Sequence, residues 1–442
     1  MYIDKTTLYD LSVFNLQDDS SLFYLIDYTT TSEGKSELIK ILHHPLNNLV
    51  EIQDVQEILK QISERFDRWP DEISNGTLMV IEKFFDDNPD PIPEEISHVQ
   101  AKVYKWLHPR DYALILFSMK QLFLLIKGYQ KIHEYFSQPH LPAPLAEIIS
   151  ETKQILSNKH LQELLHKNGF EELSEKEVLY FGRLFHIDLI QETRKLIKHY
   201  GKLDAWHAMA KANNALKLHV PVFTNAATLI EAKSLRHLLL EQPVSYDITM
   251  NKDSNFIFLT GANMAGKSTL IKAVGLAVYM AHLGMGVPAE AMKLSLFEGL
   301  LSNINIADNI SKGESYFFNE VKRIKETIEK INDGRNWLVL IDELFKGTNI
   351  QDAMKCSTAV IRGLINIKHC LFILSTHLYE IGEDLKDLPT IDFKYFETIL
   401  KETELHFSYQ LKDGISQDRM GYLILKKEGV ISMLENLGNQ QI

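Results

Sequence analysis

Gly261 and Gly266, followed at once by Lys267 and Ser268, reproduce the G-x-x-x-x-G-K-S spacing with which a backbone loop wraps phosphate oxygens. Each residue type has a physical reason to be there. Glycine permits the tight turn that aims successive N–H groups inward, and Lys267 adds a positive point charge for β- and γ-phosphates. Ser268 offers a hydroxyl to Mg²⁺. The flanks agree: residues 256–260 form an apolar run suited to a buried strand, and residues 269–283 are apolar enough to be the helix whose N-terminus meets the phosphates. The candidate nucleotide contacts are therefore Gly261, Ala262, Asn263, Met264, Ala265, Gly266, Lys267, Ser268 and Thr269.

A second constellation lies downstream. Residues 337–341 form a continuous apolar run, as in a strand buried on both faces, and it ends in Asp342 and Glu343. Carboxylates at the C-terminal end of such a strand sit where open α/β sheets bind ligands. Asp342, with Ser268, would hold Mg²⁺, and Glu343 would polarise an attacking water, which points to hydrolysis of ATP more than to transfer. A third apolar run, 371–376, ends in His377, placed to contact the γ-phosphate or the water attacking it. The predicted catalytic set is Lys267, Glu343 and His377, with ATP and Mg²⁺ as the implied ligands.

Two halves of different periodicity must position these groups. Up to about residue 235 the pattern is helical, with apolar residues at three- and four-residue spacing over 36–42, 46–66, 77–85 and 111–136, and proline-rich breaks at 88–93 and 138–144. Residues 173–216 predict one or two very long helices. From about residue 235 short β-rich runs alternate with helical ones, the pattern of a parallel sheet flanked by helices, so a boundary is expected within 232–241. The fold class is thus an all-α domain followed by an α/β P-loop domain.

Composition narrows the alternatives. A chain of 442 residues with 45% hydrophobic and 24% charged residues has the make-up of an ordinary globular protein with two or three domains. The balance of 47 basic against 59 acidic residues argues against a surface coated in nucleic-acid-binding charge, though not against a local basic patch. The two cysteines, Cys356 and Cys370, lack metal spacing and suggest reduced structural thiols in a cytoplasmic protein. No signal-peptide core opens the chain, and no apolar run approaches bilayer length: 112–129 is interrupted by Ser118, Lys120 and Lys127, so no membrane role is expected.

Taken together these residues resemble the MutS family of DNA mismatch-repair ATPases. The resemblance rests on TGANMAGKST at 260–269, VPA at 287–289, LIDELFKGT at 340–348 with Asp352, and STH at 375–377. Ala262 and Ala265 stand where proline and glycine are common in the family, leaving both motif glycines intact. Segment 308–317 looks like the family's Ser-x-Phe signature, which in relatives reaches across a dimer, and this makes Ser315 the candidate contact to the partner's ATP. More faintly, 22–27 with Thr29, Thr31, Gly34 and His44–Leu46 looks like the start of the family's helical core, and 203–205 like its lever helix.

The resemblance implies a core/lever domain over 1–235 and an ABC-type ATPase domain over 236–442 with a short C-terminal dimerisation segment. It also implies a homodimer with composite ATP sites that clamps duplex or branched DNA in repair or recombination. Relatives that read mismatches carry an N-terminal domain with a Phe-x-Glu wedge. The chain begins at the start of the core, and its two such triplets, at Phe170 and Phe318, lie in the core and beside the signature, so direct mismatch reading is not expected. Nor is a strand-helix clamp expected within 145–200. DNA contacts would fall on Arg194, Lys195, Lys198, His199, Lys202, Lys211 and Lys217 along the long helix. The rival reading is an ATP-switched regulatory or scaffolding protein that leaves DNA alone.

Overall fold

A computed structural model of the chain describes residues 1–14, 21–87, 92, 96–167, 169–225, 228–304, 316–401, 404–416, 429, 430 and 433. Ser315, with most of its signature segment, lies outside the described residues.

Helices run through the first half: α1 (Lys5–Asp10), α2 (Leu22–Ile26), α3 (Ser32–His43), α4 (Leu49–Ser63), α5 (Asn75–Asp86), α6 (His98–Leu107), α7 (Pro109–Tyr135), α8 (Ala143–Leu156), α9 (Lys159–Leu165), α10 (Glu175–Arg183) and α11 (Ile190–Ala215). The expected long helical stretch from 173 is interrupted by one π-helical turn, Leu184–Asp188, between α10 and α11. Compact packing divides the chain into two units: Ile26–His43 with Gln53–Ala215, and Met1–Leu25 with His44–Ile52 and Leu216–Ile442.

In the helical unit, α11 lies close against α3. A Cβ added at Gly201 would meet Glu33 Cγ at 2.5 Å, and one added at Gly34 would meet Asp204 Oδ2 at 2.1 Å. Asp204 is fully buried. Its carboxylate accepts hydrogen bonds from Thr30 N (3.0 Å), Thr30 Oγ1 (2.9 Å), Thr31 N (2.9 Å) and Thr31 Oγ1 (2.7 Å), at the start of α3. A helix N-terminus leaves N–H groups without partners, and a buried anion there answers both the hydrogen bonds and the dipole.

α7 departs from the expectation that no run approaches bilayer length. At 27 residues it is long and apolar enough to cross a membrane by length and composition, and 56% of its most apolar window is buried inside the protein. Its apolar positions, Ile115, Met119, Leu122, Ile126 and Tyr129 among them, are buried at helical spacing, and α7 packs on α5, α8 and α10.

The second unit is built on a seven-stranded sheet. After β1 (Tyr2–Ile3) the strands are β2 (Val222–Thr224), β3 (Leu229–Arg236), β4 (Ser245–Asn251), β5 (Phe256–Thr260), β6 (Ala291–Ser295), β7 (Gly299–Asn303), β8 (Trp337–Asp342), β9 (Cys370–Ser375), β10 (Ile391–Lys401) and β11 (Glu404–Asp413). Between β5 and β10 the described helices are α12 (Lys267–Ala281), α13 (Tyr316–Ile331), α14 (Ile350–Leu364) and α15 (Tyr379–Leu385). The large sheet has the order β1-β7-β8-β9-β5-β10-β11, parallel except for the β10–β11 pair, and β2-β6-β3-β4 form a smaller sheet. β5, β8 and β9 are buried almost throughout, which is why they read as continuous apolar runs. Phe256, Phe258, Val339, Ile341, Phe372 and Leu374 form one core with Ile361 and Leu364 of α14 and Ile381 of α15. Burial pushes the Cys370 thiol up to about 12, as suits an inert strand residue.

Two features differ from a division of the sequence at 235. The expected boundary falls inside β3, and the first residues of the chain belong to the α/β unit. β1 extends the large sheet alongside β7, and the fully buried Asp10 accepts from Ser302 Oγ and from Ile304 N (3.1 Å). Ser302 N donates in turn to Thr7 Oγ1 at 3.0 Å. Segment His44–Ile52 is tied in by the buried His282, whose Nδ1 lies 2.8 Å from Leu46 O while Nε2 accepts from Phe297 N at 3.3 Å. That burial depresses the imidazole to about 4, so it is neutral and can play both parts.

Candidate nucleotide site

The loop between β5 and α12 has the backbone its glycines imply. Gly261 and Gly266 have φ of +139° and +111°, the region L side chains avoid, and Met264 between them has φ +69°. Gly266 is the left-handed N-cap of α12, so Lys267 is the first residue of the helix. Lys267 is 6% exposed, and its ammonium donates to Gly261 O (2.8 Å) and Ala262 O (3.0 Å), bridging the loop it follows. Burial lowers its pKa, against the pull of Glu343 and Asp342 in the other direction. Ala262 and Ala265 are buried, whereas Asn263 and Met264 are exposed.

Strand register brings the acids to this loop. Phe258, Leu374 and Ile341 are paired across β5, β9 and β8, and one residue further on Leu259, Ser375 and Asp342 are aligned. Asp342 therefore emerges beside the loop with one carboxylate oxygen accepting from Ser268 Oγ and the other from Ser375 Oγ. Ser375 is a partner that sequence reasoning left without a role, although it opens the triplet that ends in His377. An all-oxygen donor set of this kind suits Mg²⁺, which takes one or two protein ligands and fills the rest of its shell with phosphate and water.

Glu343 turns away from the strand with φ +66° and donates its N–H to Ser375 O at 2.9 Å. Its carboxylate pairs with His377 Nδ1 (3.3 Å) on one oxygen and Lys346 Nζ (3.3 Å) on the other. The His377 hydrogen bond, followed by the Lys346 charge, outweighs desolvation and holds Glu343 down at about 2. The same bond raises His377 above its usual 6.5. Glu343's stabilising contribution is thus present above its unfolded value and lost as pH falls towards 2, whereas that of His377 is full below 6.5 and lost as pH rises through the raised folded value. In Glu343→Gln, the His377 titration followed by NMR falls back towards 6.5; a midpoint that does not move would show that the pairing is absent in solution.

These groups open onto one cleft of about 620 Å³. Asn263, Gly266, Lys267, Ser268, Thr269, Asp342 and Glu343 line it. So do Leu240, Gln242, Val244, Tyr246 and Tyr409, all missed in the sequence because nothing local marks them. Tyr246 and Tyr409 arrive from β4 and β11, and Leu240, Gln242 and Val244 from the loop before β4. His377 pairs with Glu343 but does not itself line the cleft, and Ser315 is outside the described residues.

Residues 257–436 match the family model of MutS domain V. The chain is 28% identical over 279 residues to the DNA mismatch repair protein MutS of Petrotoga mobilis, covering 61% of this chain and 34% of that protein. It is 32% identical over 294 residues to the DNA mismatch repair protein MSH3 of Candida glabrata, covering 63% and 28% respectively. Residues 257–436 are thus a MutS domain V, and the resemblance to MutS-family proteins extends over much of the remaining chain. The match to the MutS protein of Geobacillus kaustophilus, 28% identical over 326 residues, covers 70% of this chain and 36% of that relative, so the chain spans about a third of the length of the curated relatives it matches.

The surfaces expected to meet DNA are largely occupied within the helical unit. Arg194 pairs with Glu82 (3.4 Å) and Asp86 (3.5 Å), and Lys195 and His199 share Glu151 at 2.9 and 2.8 Å. Lys202 and Lys211 lie over the rings of Trp206 and Tyr28. Lys198 and Lys217 are exposed. Of the two Phe-x-Glu triplets, Phe170 opens a 3₁₀ turn and packs against Phe123, and Phe318 lies within α13.

Proposed function

We propose that this chain is a Mg²⁺-dependent ATPase that couples ATP binding and hydrolysis to binding or clamping of DNA, in repair or recombination, as a homodimer whose ATP sites are composite. The observation that carries the reading is the convergence of Lys267, Ser268, Asp342 and Glu343 on one cleft that apolar and aromatic residues also line. The loop N–H groups and Lys267 receive the β- and γ-phosphates, the ammonium exchanging two loop carbonyls for phosphate oxygens. Tyr246, Tyr409, Leu240 and Val244 receive the base. Ser268 and Asp342 would hold Mg²⁺, which when bound offsets phosphate charge.

Glu343, ionised at every pH above about 2, accepts a hydrogen bond from the water whose oxygen attacks the γ-phosphorus. The bond from that phosphorus to the β–γ bridging oxygen breaks, giving ADP and phosphate. His377 keeps its carboxylate aimed and presents its ring at the γ-phosphate end, and Ser315 completes the partner's site.

DNA enters through relatives named as DNA mismatch repair proteins. The rival, an ATP-switched regulator that does not bind DNA, draws support from the internal pairing of the α11 cations. ATP turnover measured with homoduplex, mismatched and branched DNA separates the two. The ATPase reading expects turnover that falls about a hundredfold or more in Lys267→Ala. The DNA reading expects stimulation by DNA and retention on duplex that weakens steeply with salt. Equal rates with and without DNA and no retention would leave the switch, and no turnover at all would remove the ATPase.

A further inference from the structure

Helix α13 holds the turn that carries Glu343 at two points. Glu320, 2% exposed, accepts from the backbone N–H of Lys346 on one carboxylate oxygen (3.0 Å) and of Gly347 on the other (3.2 Å). Three residues earlier on the helix, Phe317 packs on Phe345, with ring centroids 5.6 Å apart, and Phe345 is 4% exposed. The turn they grip is costly. Glu343 and Phe345 both have positive φ, +66° and +59°, and side-chain-bearing residues hold that conformation only where their surroundings impose it.

α13 is itself braced. On its next turn Arg323 donates to Asn303 Oδ1 (2.7 Å) and Ser302 O (3.0 Å) at the end of β7, and it pairs with Asp4 at 2.9 Å. A buried carboxylate is expensive unless its oxygens are matched, and these two are spent on successive backbone N–H groups. Glu320 does not line the nucleotide cleft, so its position serves the turn. Lys346, the residue whose N–H it takes, is also the residue whose side chain reaches Glu343.

We infer that Glu320 is a positioning residue for hydrolysis, holding residues 343–347 so that the Glu343 carboxylate meets the attacking water. This rests on the ATPase reading above. The Asp342 end of the site depends on β8 and β9 and is independent of Glu320, so nucleotide binding and hydrolysis should come apart.

Equilibrium binding of a fluorescent non-hydrolysable ATP analogue and single-turnover ATP hydrolysis, both with Mg²⁺ and the full chain, test this in Glu320→Ala and Glu320→Gln. Losing two charge-assisted bonds to the turn in Glu320→Ala slows hydrolysis about 10- to 100-fold, while analogue affinity stays within about threefold. Glu320→Gln keeps one acceptor oxygen and sets an NH₂ against the second N–H, so its rate falls between Glu320→Ala and wild type with affinity again preserved. Hydrolysis at the wild-type rate in Glu320→Ala would overturn the inference. So would parallel losses of affinity and rate in both variants, the mark of a merely structural role. Absent hydrolysis in the wild type would instead remove the ATPase reading, and this inference with it.

Discussion

Glu343→Gln binds ATP with near wild-type affinity and hydrolyses it about 100- to 1,000-fold more slowly. The binding half follows from position: in the proposed reading the loop and Lys267 receive the phosphates and Ser268 and Asp342 would hold the metal, and the contacts that place these groups do not involve the residue 343 carboxylate. The hydrolysis half follows from charge. Glu343 is held at about 2 by His377 and Lys346, so at neutral pH it is a fully ionised acceptor, and a carboxamide offers the water a weaker acceptor and turns an NH₂ towards one of the two partners. Loss of a positioned base of this kind costs about 10²–10⁴ in rate. Single-turnover hydrolysis with a parallel binding isotherm measures both halves, and unchanged turnover would sink the proposed role. A loss of affinity equal to the loss of rate would mean that Glu343 belongs to the binding set.

Asp204→Ala destabilises the helical unit by about 3–5 kcal/mol. The carboxylate is fully buried and receives two backbone N–H groups and two hydroxyls at the start of α3, so its removal leaves the two buried donors of Thr31 and the part-buried pair of Thr30 unmatched in a narrow seam beside Gly34. Asp204→Asn restores the volume but turns an NH₂ towards donors, and recovers only part of the loss. Urea unfolding followed by helical circular dichroism gives the comparison, and a cost below about 1 kcal/mol would show that Thr30 and Thr31 find other partners. Gly34→Ala, with its Cβ aimed at the same carboxylate, should be damaging for the converse reason.

The readings that came from contiguous residues needed no tertiary information. The 261–268 loop carries its own geometry in its glycines, and β5, β8 and β9 declare themselves because strands buried on both faces are apolar without a break. β1 could not be read in this way: two residues have no period, and only pairing with β7 makes them a strand. The basic positions on α11 were legible as charges but not as occupied charges, since Glu82, Asp86 and Glu151 lie elsewhere in the sequence. The apolar lining of the cleft was hidden for the same reason. Tyr246 and Tyr409 are unremarkable until two strands 163 positions apart are folded beside one loop.

What the sequence determined by itself was the set of candidate groups: Lys267, Ser268, Asp342, Glu343 and His377 were named from spacing and flanking apolar runs, because each sits in a local backbone context written in adjacent residues. What only the tertiary structure decided was their arrangement. The β8–β9 register sets Asp342 between two serine hydroxyls, a left-handed turn aims Glu343 at His377, and Glu320 on a distant helix grips that turn. Register and buried hydrogen bonds are properties of chain segments far apart in sequence, and no local pattern encodes them.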